Sequence, residues 1–189
     1  MTLWLRAIPF LWSAWLIYWW WSAQDVKANA RVESRAARLS HGIPILVAVI
    51  LLSAPHMSIL GLDMRFVPNA PFLHWLAPLL VVTGLVFTVW ARRSLGRNWS
   101  GTVTVKQEHE LVTSGPYQFV RHPIYTGLLV AFAGSALAVG EWRGILAVLM
   151  IGLAFWRKLT LEERWMTETF GATYTDYRRK VRALIPFVL

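Results

Sequence analysis

The chain contains no cysteine, little charge and few acids. With none of its 189 residues a cysteine, a disulfide framework, a cysteine nucleophile, thiolate-bound metal and lipidation of its own thiols are excluded. Charged residues make up 15% of the sequence, against about 25% in an average soluble domain, so the polar surface that would cover an apolar core in water is missing. No two glycines stand in a G-x-G arrangement, so the glycine-rich turn that cradles a pyrophosphate in a Rossmann fold is absent. His41, His56 and His74 lack metal-ligand spacing, read as packing, cap or interface residues, and no metal is expected.

What is present is apolar and basic. Hydrophobic residues make up 56% of the chain and its mean hydropathy is +0.45. Five apolar stretches, Leu3 to Trp21, Gly42 to Leu62, Pro71 to Ala91, Ile124 to Gly140 and Gly144 to Thr160, run for 17 to 21 residues. At about 1.5 Å per residue each matches a hydrocarbon core of roughly 30 Å. The predicted fold class is therefore all-α integral membrane, with about five transmembrane helices in one domain, residues 1–189. Pro55 reads as a kink within the second stretch. The first stretch is too long and too rich in tryptophan for a cleaved signal, and Trp19 to Trp21 suit a headgroup belt.

The 19 Lys and Arg alternate along the chain. Lys27, Arg31, Arg35 and Arg38 follow the first stretch; Arg92, Arg93, Arg97, Lys106 and Arg121 follow the third. The chain closes with Arg157, Lys158, Arg164, Arg178, Arg179, Lys180 and Arg182, leaving only Arg6, Arg65 and Arg143 for the other side. This bias predicts an outer amino terminus and a cytoplasmic carboxyl terminus. It also accounts for the net charge of +9 by orientation and anionic-lipid contact, so no nucleic-acid partner is expected.

Two long polar segments share the predicted cytoplasmic side, Arg92 to Pro123 and Lys158 to Leu189, and aqueous chemistry belongs there. A connection of about 30 residues is unusual unless it serves a purpose. In the second segment Lys158 and Glu162, at i and i+4, share a helix face, while Glu163 points about 100° away. Arg121 has the fork geometry to grip a carboxylate of a cofactor, of a substrate, or of Glu162 or Glu163.

The run Arg121-His122-Pro123-Ile124-Tyr125-Thr126-Gly127, followed after the next hairpin by Glu162-Glu163, resembles the signature of the isoprenylcysteine carboxyl methyltransferase family and of phospholipid methyltransferase-like membrane enzymes. His109 to Tyr117 upstream, and Phe170-Gly171, Tyr174, Tyr177 and Pro186 downstream, extend the likeness from Leu95 to Pro186. The resemblance implies S-adenosylmethionine as methyl donor, S-adenosylhomocysteine as product, and a lipophilic acceptor reached from the bilayer. Residues 1–91 then form three N-terminal spans and 92–189 the catalytic region. By motif match the cofactor pocket uses His109, Glu110, Leu111, Val112, Tyr117, His122, Pro123, Ile124, Tyr125 and Glu162. Arg121 and Glu163 take catalytic roles, and Lys158 with neighbouring Arg157 contacts substrate. The leading acceptor is an isoprenylcysteine carboxylate; a phospholipid amine or another hydrophobic metabolite, an NADPH-dependent membrane reductase, and a non-catalytic module are the alternatives.

Overall fold

Each apolar stretch has become a helix, and the ends of those helices show what stops them. The computed structural model describes residues 3–54, 60–68 and 70–186. In chain order they form α1 (Leu3–Ser22), β1 (Asn29–Val32), α2 (Arg35–Ser53), α3 (Leu73–Leu95), β2 (Thr104–Lys106), α4 (Pro123–Val139), α5 (Trp142–Phe170) and α6 (Ala172–Lys180). Helices α2, α3 and α5 are long and apolar enough to cross a membrane, and α4 is a shorter apolar helix of 17 residues. The chain is an integral membrane protein.

The second span needs correction. Its helix is Arg35–Ser53 rather than Gly42 to Leu62, because the Ser34 side chain accepts a hydrogen bond from the Ala37 N–H (3.1 Å) and starts it early. At the other end Ala54 is extended, φ −63° and ψ 131°, the conformation favoured before a proline. Pro55 and His56 themselves lie outside the described residues, and the helix expected to kink at Pro55 has already ended. Arg143, buried, closes that end by donating to the carbonyls of Leu51 (2.8 Å) and Ala54 (2.5 Å).

Helices α3 and α4 approach most closely through glycine. A Cβ on Gly127 would lie 2.6 Å from the Gly84 carbonyl oxygen, and one on Gly134 would lie 2.7 Å from that of Ala77. Small residues let backbones meet where lipid offers no hydrophobic drive to associate. Across the other face of α4 a core of Leu51, Phe132, Ile151 and Phe155 joins α2, α4 and α5.

The expectation of helices alone misses one feature. β1, from the first half of the chain, pairs antiparallel with β2 from the second, Val32 opposite Thr104. The short β-branched run Thr102 to Val105 thereby finds its partner about 70 residues upstream, a distance no local pattern reveals.

Candidate active site

Helix α5 carries its acids past the predicted span end at Thr160 and stops at Gly171, whose φ of +54° suits a residue without Cβ. The turn there sends α6 back toward the start of α4. Beyond α6 the backbone continues alongside the Arg121 motif: Arg121 N–H donates to the Arg182 carbonyl (2.8 Å) and His122 N–H to that of Ala183 (3.0 Å). The Thr126 hydroxyl donates to the Leu184 carbonyl (2.7 Å). The end of the chain thus straps the entry of α4 beside the paired glutamates.

Glu162 and Glu163 project to different sides, and His122 lies between them. Its Nε2 is 3.1 Å from Glu163 Oε1 and its Nδ1 is 3.5 Å from Glu162 Oε2. Glu162 Oε1 also accepts from the Tyr125 hydroxyl at 2.5 Å. Arg121 settles on Glu163: Nε is 2.8 Å and Nη2 2.6 Å from Oε1, and the guanidinium also donates to the carbonyls of Arg178 and Val181. Arg178 Nε completes the knot 3.2 Å from Glu163 Oε2. Of the two glutamates left open for Arg121, the guanidinium meets Glu163.

Electrostatics follow from this burial. Burial opposes charging of His122, but the hydrogen bonds and negative charge of Glu162 and Glu163 outweigh it and hold the imidazole above its ordinary pKa. Tyr117 and Tyr174 are pushed far up, first by burial and then by the nearby Glu162 and Glu163 respectively, so both phenols stay protonated. His109 moves down, by burial and then by Lys27 and Lys106, and is a neutral imidazole. Its Nδ1 accepts from the Lys106 N–H (3.1 Å), which places the ring proton on Nε2.

A cavity of about 1670 Å³ opens beside the knot. Its polar end is lined by His109, Glu110, Leu111, Val112, Tyr117, Arg121, His122 and Glu162, with Ile124, Tyr125 and Lys158 at the junction with the bundle. From there it follows α4 from Ile124 to Val139 against α1 and α2, about 22 Å at 1.5 Å per residue. That passage is walled by Trp12, Trp15, Ile45, Val49, Leu128 and Phe132. Lys158 lies over the Tyr125 ring (5.5 Å) and donates to the Gly101 carbonyl (2.9 Å).

Three of the sequence-derived site residues stand apart from the cavity lining. Pro123 is fully buried at the first turn of α4. Glu163 lines a separate crevice with Arg121 and Arg178. Arg157 turns to α2, where its Nε donates to the Ser40 hydroxyl at 2.6 Å. Conversely, Asn98, Thr102, Thr104, Met166, Tyr174 and Tyr177 line the cavity and are absent from the motif-derived set. The i, i+3 spacing of Tyr174 and Tyr177 was the available signal for that pair; Tyr177 donates to the Tyr117 carbonyl at 2.5 Å.

Residues 72–173 match the family described as phospholipid methyltransferase. The chain belongs to that family. The chain is 33% identical over 99 residues to the protein-S-isoprenylcysteine O-methyltransferase of Schizosaccharomyces pombe, covering 49% of this chain and 41% of that protein. Against protein-S-isoprenylcysteine O-methyltransferase B of Arabidopsis thaliana the identity is 28% over 112 residues, covering 58% of this chain and 57% of that one. The fold is similar to that of the eukaryotic intramembrane Ras methyltransferase ICMT, with a TM-score of 0.56 and 23% identity, covering 81% of this chain and 52% of the other. The chain therefore spans about half the length of the relatives it matches.

Proposed function

We propose that this phospholipid methyltransferase family member transfers a methyl group from S-adenosylmethionine to a lipophilic acceptor, and that the acceptor group is a carboxylate of the isoprenylcysteine type. One observation carries the reading: a single cavity has a polar end closed by His109, Tyr117 and Glu162 and an apolar continuation along α4. A water-soluble donor fits the first part and a lipid tail the second. The names of the relatives, all O-methyltransferases of isoprenylcysteine in the cases above, support the carboxylate.

The residues at the polar end suit the donor. His109 to Val112 run outside helix and strand, leaving backbone edge to recognise a purine, and the neutral His109 presents an N–H. Glu162, held by Tyr125 and His122, supplies negative charge for an amino or sulfonium group, and the Tyr125 ring adds an electron-rich face. When bound, S-adenosylmethionine supplies an electrophilic methyl group. Lys158, beside Tyr125, holds the acceptor carboxylate and repels a cationic amine, which favours carboxyl over phospholipid-amine acceptors. A carboxylate is already ionised, so no residue has to take a proton from it; positioning and exclusion of water provide the acceleration. Arg121 and Glu163 act by locking His122 and the terminal strap in place.

In this reading the site and both termini of α6 face the cytoplasm, as the Lys and Arg bias predicts. Calorimetric titration of the detergent-purified protein with S-adenosylhomocysteine and, separately, NADPH tests the donor, and methyl transfer to a farnesylated cysteine analogue tests the acceptor. Binding of S-adenosylhomocysteine alone is expected. Binding of NADPH alone would replace the proposal with a reductase, and binding of neither with a non-catalytic module.

A further inference from the structure

A buried acid lies outside both the matched family region and the knot just described. Glu33 is 5% exposed and sits one residue beyond the β1–β2 pairing, just before the Ser34 cap of α2. Its N–H donates to the Val103 carbonyl (3.0 Å), and its Oε1 accepts from the Val103 N–H (3.0 Å). The side chain thus stands in for a backbone carbonyl and extends the ladder by one rung after the chain has turned away into a helix. His41 Nε2, from α2, lies 3.5 Å from the same oxygen, while Oε2 has no hydrogen-bond partner among the described residues.

Stability alone is a poor reason for such a group. Burying a carboxylate carries a desolvation cost that packed apolar side chains avoid, and an unpaired buried oxygen adds to it. What Glu33 does that an apolar residue does not is hold Val103 by its N–H. The neighbours of Val103 are cavity residues: Gly101, Thr102 and Thr104 form its wall, and the Gly101 carbonyl is the anchor of Lys158. The contact chain runs from His41 through Glu33 and Val103 to the lysine that meets the acceptor.

We propose that Glu33, backed by His41, is a positioning residue for methyl transfer: it pins the Gly101 to Thr104 wall and so sets Lys158 against the acceptor carboxylate. This rests on the function proposed above. The first half of the chain then contributes to acceptor recognition without touching the acceptor.

The test compares Glu33→Val, Glu33→Asp and Glu33→Gln in the full chain, by peptide-resolved amide exchange over residues 99–106 and by steady-state kinetics with the farnesylated cysteine analogue. Valine removes the hydrogen-bond acceptor, and aspartate shortens its reach. Both should speed exchange at 101–104 and raise the KM for the methyl acceptor about three- to tenfold, the scale of one lost hydrogen bond, with S-adenosylhomocysteine affinity at the wild-type value. Glutamine keeps Oε1 and should restore both readouts. If the valine variant does not fold, the aspartate variant decides, since it retains the buried charge. Wild-type exchange and KM in the aspartate variant would overturn the proposal, as would a glutamine variant no better than aspartate, or donor affinity falling in step with acceptor use. Should the wild type transfer no methyl group, the function above fails, and the exchange comparison still decides whether Glu33 pins the wall.

Discussion

Glu162 and Glu163 are adjacent in sequence and do different work. One faces the cavity and is shared by Tyr125 and His122; the other, about 100° around the helix, also meets His122 and is gripped by Arg121 and Arg178. Glu162→Gln should therefore weaken S-adenosylhomocysteine binding about tenfold or more, the scale of a charge-assisted hydrogen bond, while circular dichroism shows the helices intact. Lys158→Ala should raise the acceptor KM and leave donor affinity unchanged, measured by the same calorimetry and kinetics. His122 adds a pH dependence. Its pKa is raised in the folded protein, so its contribution to stability is fully present below the unfolded value near 6.5 and is lost as pH rises through the folded value. Thermal melts of wild type against His122→Asn should differ most in mildly acidic solution and converge at alkaline pH.

The pairing of α3 with α4 supports the site from below, since the register of α4 sets where His122 and Tyr125 emerge. Gly127 belongs to the same motif as Arg121 and is packed on the Gly84 backbone. Its place in the motif thus reflects the close helix contact as well as chemistry. Gly127→Ala should force α3 and α4 apart and cost about 1–3 kcal/mol, the range for an overpacked core, seen as a lower melting temperature in detergent. Donor affinity should fall with it, because α4 carries both. The strap beyond α6 is the other element that local pattern left undefined: its residues 182–183 pair with 120–122 by backbone bonds, and backbone pairing is blind to side-chain type.

The molecule as a whole brings two polar segments, separated by the α4–α5 hairpin, to one end of the bundle. With no native cysteine, topology is directly testable by introduced thiols. Ser114→Cys and Asp63→Cys each place a single exposed thiol, at opposite ends of the bundle. In intact cells a membrane-impermeant maleimide should label the Asp63→Cys variant and spare the Ser114→Cys variant, and in inside-out vesicles the pattern should reverse. Equal labelling of both variants from one side would overturn the proposed orientation.

Composition and periodicity were sufficient for the membrane setting and for helices near the five apolar stretches, because hydropathy and length are local quantities that bilayer thickness alone converts into spans. The Arg121 motif and the paired glutamates were legible for the same reason, as short patterns with a set separation. The different facing of the two acids followed from helical spacing, but the partner of Arg121, the turning away of Arg157 and the β1–β2 pairing were decided only in three dimensions. Each depends on which distant group, side chain or backbone, lies within hydrogen-bond reach. The span of α2 was misplaced because two local features override hydropathy: the Ser34 hydroxyl caps the helix early, and Ala54, extended before Pro55, ends it.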